Sequence, residues 1–256
     1  MTLATIAKRP GLAGCQIAER LLFSMSAGAV NAGAFLACQR FVSHVTGTVT
    51  LIGLDFGRWP LLGEYMLVLL CFLIGAMTAV FLLAMAPPKQ YPARSLYLVA
   101  FLVALVAPLG YLGLFGQFGK SVEGPGDFVL LSLLSFAMGL LNATAAGSTT
   151  INARFTHLTG HSTDLAINMA RAILSYGEER EAALRIAALL AGKIFCFALG
   201  AASMVLMVRW GGYTAFLAAA GITLVATELG QLAHPSPASE RRRSLGFSGE
   251  PSFSRH

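Results

Sequence analysis

Two asparagines lie in uncharged, apolar stretches where an amide without hydrogen-bond partners costs several kcal/mol. Each occupies the same place in a repeated phrase: Gly28, Ala29, Val30, Asn31, Ala32 returns as Gly139, Leu140, Leu141, Asn142, Ala143. A second phrase comes next in both copies, His44, Val45, Thr46, Gly47 and His157, Leu158, Thr159, Gly160. The chemistry on offer is polar and reversible. An amide both donates and accepts, a histidine titrates near neutral pH and can relay a proton, and a threonine hydroxyl can cap exposed backbone amides. Glycine permits a sharp entry into a new segment.

The segment after each Thr-Gly is too short for an ordinary membrane span, Thr48 to Gly57 and Ser162 to Tyr176. Two readings stay open, a capped loop at the membrane surface or a half-helix that re-enters it. In the second, the inward N-terminus carries about +0.5 of an elementary charge and suits an anionic or strongly polar ligand. The asparagines have two readings as well. Each bonds a neighbouring helix, or the pair lines a shared solute site near an internal twofold axis.

Lys193 is the one basic residue well inside a long apolar run. For a helix beginning near Glu181 its Cα lies about 18 Å from that end, deeper than comfortable snorkelling allows. That depth makes it a candidate counter-ion for a carboxylate such as Asp164, or part of an anion site; snorkelling from a helix that starts later is the alternative. His157, His161 and Asp164 have a spacing that brings three metal ligands to one helical face, but Gly160 interrupts that face and the first copy has Thr48 in place of the second histidine. No metal and no cofactor is expected.

The elements that must position these groups are membrane helices. The 256-residue chain is 56% hydrophobic and 12% charged, about half the charged fraction of a soluble domain. Its mean hydropathy is +0.69. Six apolar runs are long enough to cross a bilayer, some with help from their flanks: Leu21 to Cys38, Met66 to Met85, Leu96 to Phe115, Phe128 to Ala146, Ile186 to Val208 and Tyr213 to Leu229. A third repeated phrase sits in the second run of each half, Cys71, Phe72, Leu73, Ile74, Gly75, Ala76 against Cys196, Phe197, Ala198, Leu199, Gly200, Ala201. Three matches in one order mark a duplicated unit.

Each unit holds three spans, so the second copy enters from the opposite side and the repeats are inverted. With the N-terminus inside, thirteen Lys/Arg residues fall on the cytoplasmic side and only Arg40, Arg58, Lys120 and Arg209 outside. The expected fold is therefore all-α and polytopic, about six transmembrane helices as two inverted three-helix repeats, with short half-helices after the Thr-Gly turns. Residues 1–20 form a cytoplasmic lead, 21–234 the membrane domain (repeat one 21–115, repeat two 128–232), and 235–256 a disordered basic tail. The Arg241, Arg242, Arg243 cluster reads as a topology signal or a contact to anionic headgroups. The net charge of +6 fits that membrane reading and does not point to nucleic acid. Cys15, Cys38, Cys71 and Cys196 lack metal-ligand spacing and read as small apolar residues.

The Gly-x-x-Asn-Ala helix, the Thr-Gly phrase, and Met138 to Ala143 followed by a second Thr-Gly resemble the YoaK family across nearly the whole chain between its tails. The chain departs at Thr48, where the family commonly has Asn, and at Leu141, where Gln is common. The resemblance implies a six-span protein of the bacterial cytoplasmic (inner) membrane, both termini cytoplasmic, with no assigned reaction or substrate. Two function classes remain. A transporter or channel for a small polar or anionic solute accounts for duplication, inversion, embedded amides and paired turns together. A membrane-embedded enzyme, or a signalling or interaction protein, is the alternative, although the sequence contains no serine elbow, zinc-binding helix, phosphate loop or carboxylate pair. The expected partners are membrane lipids and a small-molecule solute, with no nucleic acid; a homo-oligomer is compatible with the sequence. The candidate binding residues are Asn31, His44, Thr46, Gly47, Asn142, His157, Thr159, Gly160 and Lys193.

Overall fold

The computed structural model describes residues 10–87, 90–119, 124–148 and 155–234, and these form helices and connecting turns. Much of the Lys/Arg tally, including Lys8, Arg9, Lys89, Lys120, Arg154 and the Arg241 to Arg243 cluster, lies outside the described residues, as does the tail. Helix α1 runs Pro10–Cys38, α2 Val45–Leu54, α3 Trp59–Ala84 and α4 Ala93–Tyr111. The second half repeats the series: α5 Pro125–Gly147, α6 Leu158–Leu174, α7 Gly177–Gly211 and α8 Phe216–Ala233. The six expected apolar runs fall on α1, α3, α4, α5, α7 and α8. Five helical stretches are long and apolar enough to cross a membrane, the last being Gly177–Ala233, which contains both α7 and α8.

That last stretch is one apolar run but two helices. Gly212 at φ +51° and a 3-10 turn over Gly212–Ala215 reverse the chain between them. Glycine takes this left-handed conformation without the steric penalty that a Cβ brings. The contacts fix the directions. Leu21, Gly28 and Gly33 meet Gly192, Phe197 and Met204 in turn, so α7 runs parallel to α1. Gly33 meets Phe216 while Ser26 bonds Thr223, so α8 runs antiparallel to it. Gly75 meets Phe136 and Leu83 meets Gly147, so α3 and α5 run together. Gly110 packs on Tyr213 and Gly230 on Tyr91, which sets α4 against α8. Cys38 at the end of α1 meets Asp127 at the start of α5. Helices α1, α4 and α7 thus point one way, and α3, α5 and α8 the other.

The most extensive packing exchanges the two halves, α1 with α7 and α3 with α5. At the first crossing, a Cβ on Gly28 would strike the Phe197 carbonyl and one on Gly200 the Met25 carbonyl. At the second, Gly139 faces the Phe72 carbonyl and Gly75 the Phe136 carbonyl. Two of the repeated phrases are therefore complementary parts of one joint, made twice. Backbones approach this closely only where there is no side chain, the usual basis of tight packing between membrane helices. Gly33 and Ala79 are also buried in the packed interior, as expected of small residues in these helices. Helices α1 and α5 form the centre, 67% and 61% of their apolar windows being buried against 17% for α3.

The structure moves two expected boundaries. Helix α1 starts at Pro10, inside the expected lead, and carries Glu19 into the interior at 1% exposure. The short helices begin directly after His44 and His157, so Thr-Gly lies within their first turns instead of preceding them. Neither Gly47 nor Gly160 sits at positive φ, so the backbone freedom expected of them is not what these positions require.

Candidate functional site

Both asparagines are tied down by the segment that follows their own helix. Asn31 Nδ2 donates to the Ala27 carbonyl at 2.9 Å and to Ser43 Oγ at 2.6 Å, and its Oδ1 accepts the Ser43 backbone N–H at 3.2 Å. Asn142 repeats the pattern. Its Nδ2 donates to the Met138 carbonyl at 2.9 Å, and its Oδ1 accepts from Thr156 Oγ1 at 3.0 Å and the Thr156 N–H at 3.4 Å. Ser43 and Thr156, the residues just before each histidine, are the partners that sequence reasoning missed. Their signal was a hydroxyl residue at the same place in both copies.

These bonds set the depth of the short helices. Asn31 lies seven residues before α1 ends at Cys38, so by Ser43 the chain has doubled back about 10 Å along the helix. Asn142 lies five residues before the end of α5, a return of about 7 Å. Helices α2 and α6 therefore both start below the ends of their neighbours and run outward, and their first turns border one cavity of about 670 Å³. Ser43, His44, Thr46 and Gly47 line it from one half, Thr156, His157 and Thr159 from the other. Asn142 joins the lining; Asn31 does not, and Gly160 lies just outside it. Among the described residues, no Asp, Glu, Lys or Arg side chain contributes to the wall. The polar character comes from hydroxyls, imidazoles and helix N-termini.

His44 is held by a stack of rings, 4.4 Å from Phe41, which is itself 4.6 Å from Phe35. Burial pushes its pKa down from the ordinary histidine value, which favours the neutral imidazole. His157 is exposed to the cavity side. Each histidine is the N-cap residue of its short helix, and neither helix has a side-chain cap bond. Thr46 and Thr159, expected as caps, sit at the second helical position with exposed side chains. Helix-start amides without a side-chain cap are groups that a polar or anionic solute can satisfy.

A second cavity of about 440 Å³ shares His44, Thr46 and Gly47 with the first. Its far side carries Arg40, whose guanidinium donates to Glu64 Oε2 at 2.9 and 3.2 Å and lies 5.3 Å over the Tyr65 ring. Tyr65 donates in turn to Asp55 at 3.0 Å. At the other end of the bundle, buried Glu19 accepts from Tyr91 Oη at 2.8 Å, and the Tyr91 ring stacks on His234 at 5.9 Å. Burial and the Glu19 carboxylate push the Tyr91 hydroxyl above its ordinary value, which keeps it a donor. The sequence hid this pair because Glu19 falls in a segment that reads as a lead.

Lys193 is buried, 5% exposed, with its Nζ 5.9 Å over the Phe155 ring. The expected pairing with Asp164 is absent. Asp164 is exposed on α6, and no ion pair reaches Lys193 among the described residues. His157, His161 and Asp164 do not gather into a three-ligand cluster among the described residues. The Glu181 and Arg185 pair, 2.9 Å apart, is an exposed contact one turn apart on α7.

With this geometry in view, the chain matches a family profile over residues 20–229, described as Protein of unknown function (DUF1275). The chain belongs to that family. The match runs from within α1 to within α8 and takes in both short helices, in keeping with the YoaK resemblance. No curated protein and no solved structure matches the chain. Membership in DUF1275 therefore assigns a polytopic helical protein, consistent with a membrane protein, and leaves the activity to be read from the site.

Proposed function

We propose that this DUF1275 protein is an integral-membrane transporter or channel for a small polar or anionic solute. It crosses the bacterial inner membrane six times as two inverted three-helix repeats with both termini in the cytoplasm. The observation that carries this reading is the 670 Å³ cavity between the first turns of α2 and α6. Irregular backbone at membrane depth is tolerated where it is buried in protein or faces a watery space, and half-helix N-termini at such a place face solute in known transporter architectures. The opposed directions of the two halves, the matched Asn31 and Asn142 anchors and the uncharged wall support it further.

In mechanism, Asn31 and Asn142 hold the two turns, while His44, Thr46, His157 and Thr159 present donors and acceptors to the solute. The paired N-termini favour negative charge, and cations meet no carboxylate among the described wall residues. Gly47 keeps the space open, since nothing lies within 4 Å of the Cβ it lacks. The test is flux. Full-length protein in sealed proteoliposomes is given a panel of labelled halides, nitrate, small carboxylates and small neutral polar solutes. The reading expects saturable uptake of at least one, abolished by Gly47→Phe with thermal stability retained. Absence of uptake across the panel, or undiminished uptake in the Gly47→Phe protein, contradicts it.

A further inference from the structure

We propose that Lys193 is the cationic half of a binding site for a small anion, at the opposite end of the solute path from Arg40. Lys193 is 5% exposed, so its ammonium does not snorkel to bulk water. Among the described residues its attractive contact is the aromatic face of Phe155, and the charge acting on it is Arg20, of the same sign. A buried ammonium in a membrane bundle normally meets a carboxylate or lines a functional cavity. Here the described residues supply it no carboxylate.

Duplication says what is missing. Aligning the Cys71 and Cys196 phrases puts Val68 opposite Lys193 and Glu64 opposite Leu189. In the first half, Val68 borders the 440 Å³ cavity, whose cation is Arg40, paired with Glu64. In the second half, the cation has moved onto the helix at Lys193 and the carboxylate position has become Leu189, one helical turn away. One end of the path thus has an ion pair and the other has a cation to which the described residues supply no carboxylate. The ligand is a small anion, either free in solution or the phosphate oxygen of a lipid headgroup. This inference rests on the transport reading for its place in a path, but it concerns binding, which is measured without flux.

The experiment is thermal unfolding of the full chain, purified in neutral detergent without anionic lipid, as chloride replaces gluconate at constant ionic strength. A second arm adds phosphatidylglycerol in the absence of chloride. Wild type is expected to show a saturable rise in Tm of about 2 °C or more in at least one arm. Lys193→Met should lose that rise, because it keeps the length and removes the charge. Leu189→Glu should lose it too while melting higher without anion, because it restores the internal carboxylate that Glu64 provides in the first half. A rise with chloride identifies a free anion, and a rise with phosphatidylglycerol alone identifies a headgroup. No saturable rise in wild type in either arm, or an equal rise in Lys193→Met, overturns the proposal. Failure of every uptake assay with the binding response intact would remove the transport reading and leave the site.

Discussion

Asn31 uses both ends of its amide on the turn that follows its helix and Asn142 engages its own turn through the amide oxygen, and this explains why a costly side chain stands twice in apolar sequence. Their importance was legible because the bilayer penalises amides; their partners were not, because serine and threonine before a histidine are commonplace in any sequence. Asn31→Leu leaves the buried Ser43 N–H and hydroxyl without that amide, and is expected to cost about 1–3 kcal/mol, read as a lowered Tm in detergent. Asn142→Leu should do the same through Thr156. An unchanged Tm in both would mean that the amides do not hold the turns. His44 gives a pH signature. Its folded-state pKa is lowered by burial, so the unfolded chain binds more protons as pH falls through the ordinary histidine range. Its contribution is fully present above that range and is lost on acidification. Between pH 7.5 and 5.5 the wild-type Tm should therefore fall, and His44→Gln should reduce the fall; an identical slope in both proteins excludes His44 as the source.

The long helices were legible from run length and composition, and three phrases recur in one order along the chain. The joint those phrases build was not legible, because sequence shows that a glycine recurs without showing which backbone it touches. Gly28 and Gly200 meet carbonyls across α1 and α7, and Gly139 and Gly75 do so across α3 and α5. Thr-Gly was misread for a related reason. Sequence offered turn and cap chemistry, whereas the glycines lie in helical first turns at ordinary φ, Gly47 on the cavity wall, with open space around both. These two kinds of glycine predict opposite outcomes. Gly28→Ala and Gly139→Ala must push packed backbones apart and are expected to lower stability by about 1–3 kcal/mol. Gly47→Ala and Gly160→Ala should remain near wild type in Tm, within the helix-propensity gain of alanine. Equal effects at all four positions would contradict the assignment of Gly28 and Gly139 to tight crossings.

For the whole molecule, opposed helix directions and exchanged packing bring the first turns of two short helices to one cavity. One end of the bundle holds the Arg40–Glu64 ion pair, and the other holds buried Lys193 with no carboxylate paired to it among the described residues. That asymmetry was only partly visible in sequence, where Lys193 stood out by depth but Arg40 and Glu64 were separated by a loop and a short helix. Transport of the kind proposed requires α2 and α6 to bring Thr46 and Thr159 to one water-filled path from opposite faces of the membrane. Thiol labelling in sealed right-side-out and inverted vesicles tests this requirement. Cys15, Cys38, Cys71 and Cys196 are first replaced, and single cysteines are introduced at Thr46 or Thr159. With a membrane-impermeant reagent, both positions are expected to be labelled, Thr46→Cys faster from outside and Thr159→Cys faster from the cytoplasmic side. Labelling of both from the same side, or of neither from any side, would contradict the shared path.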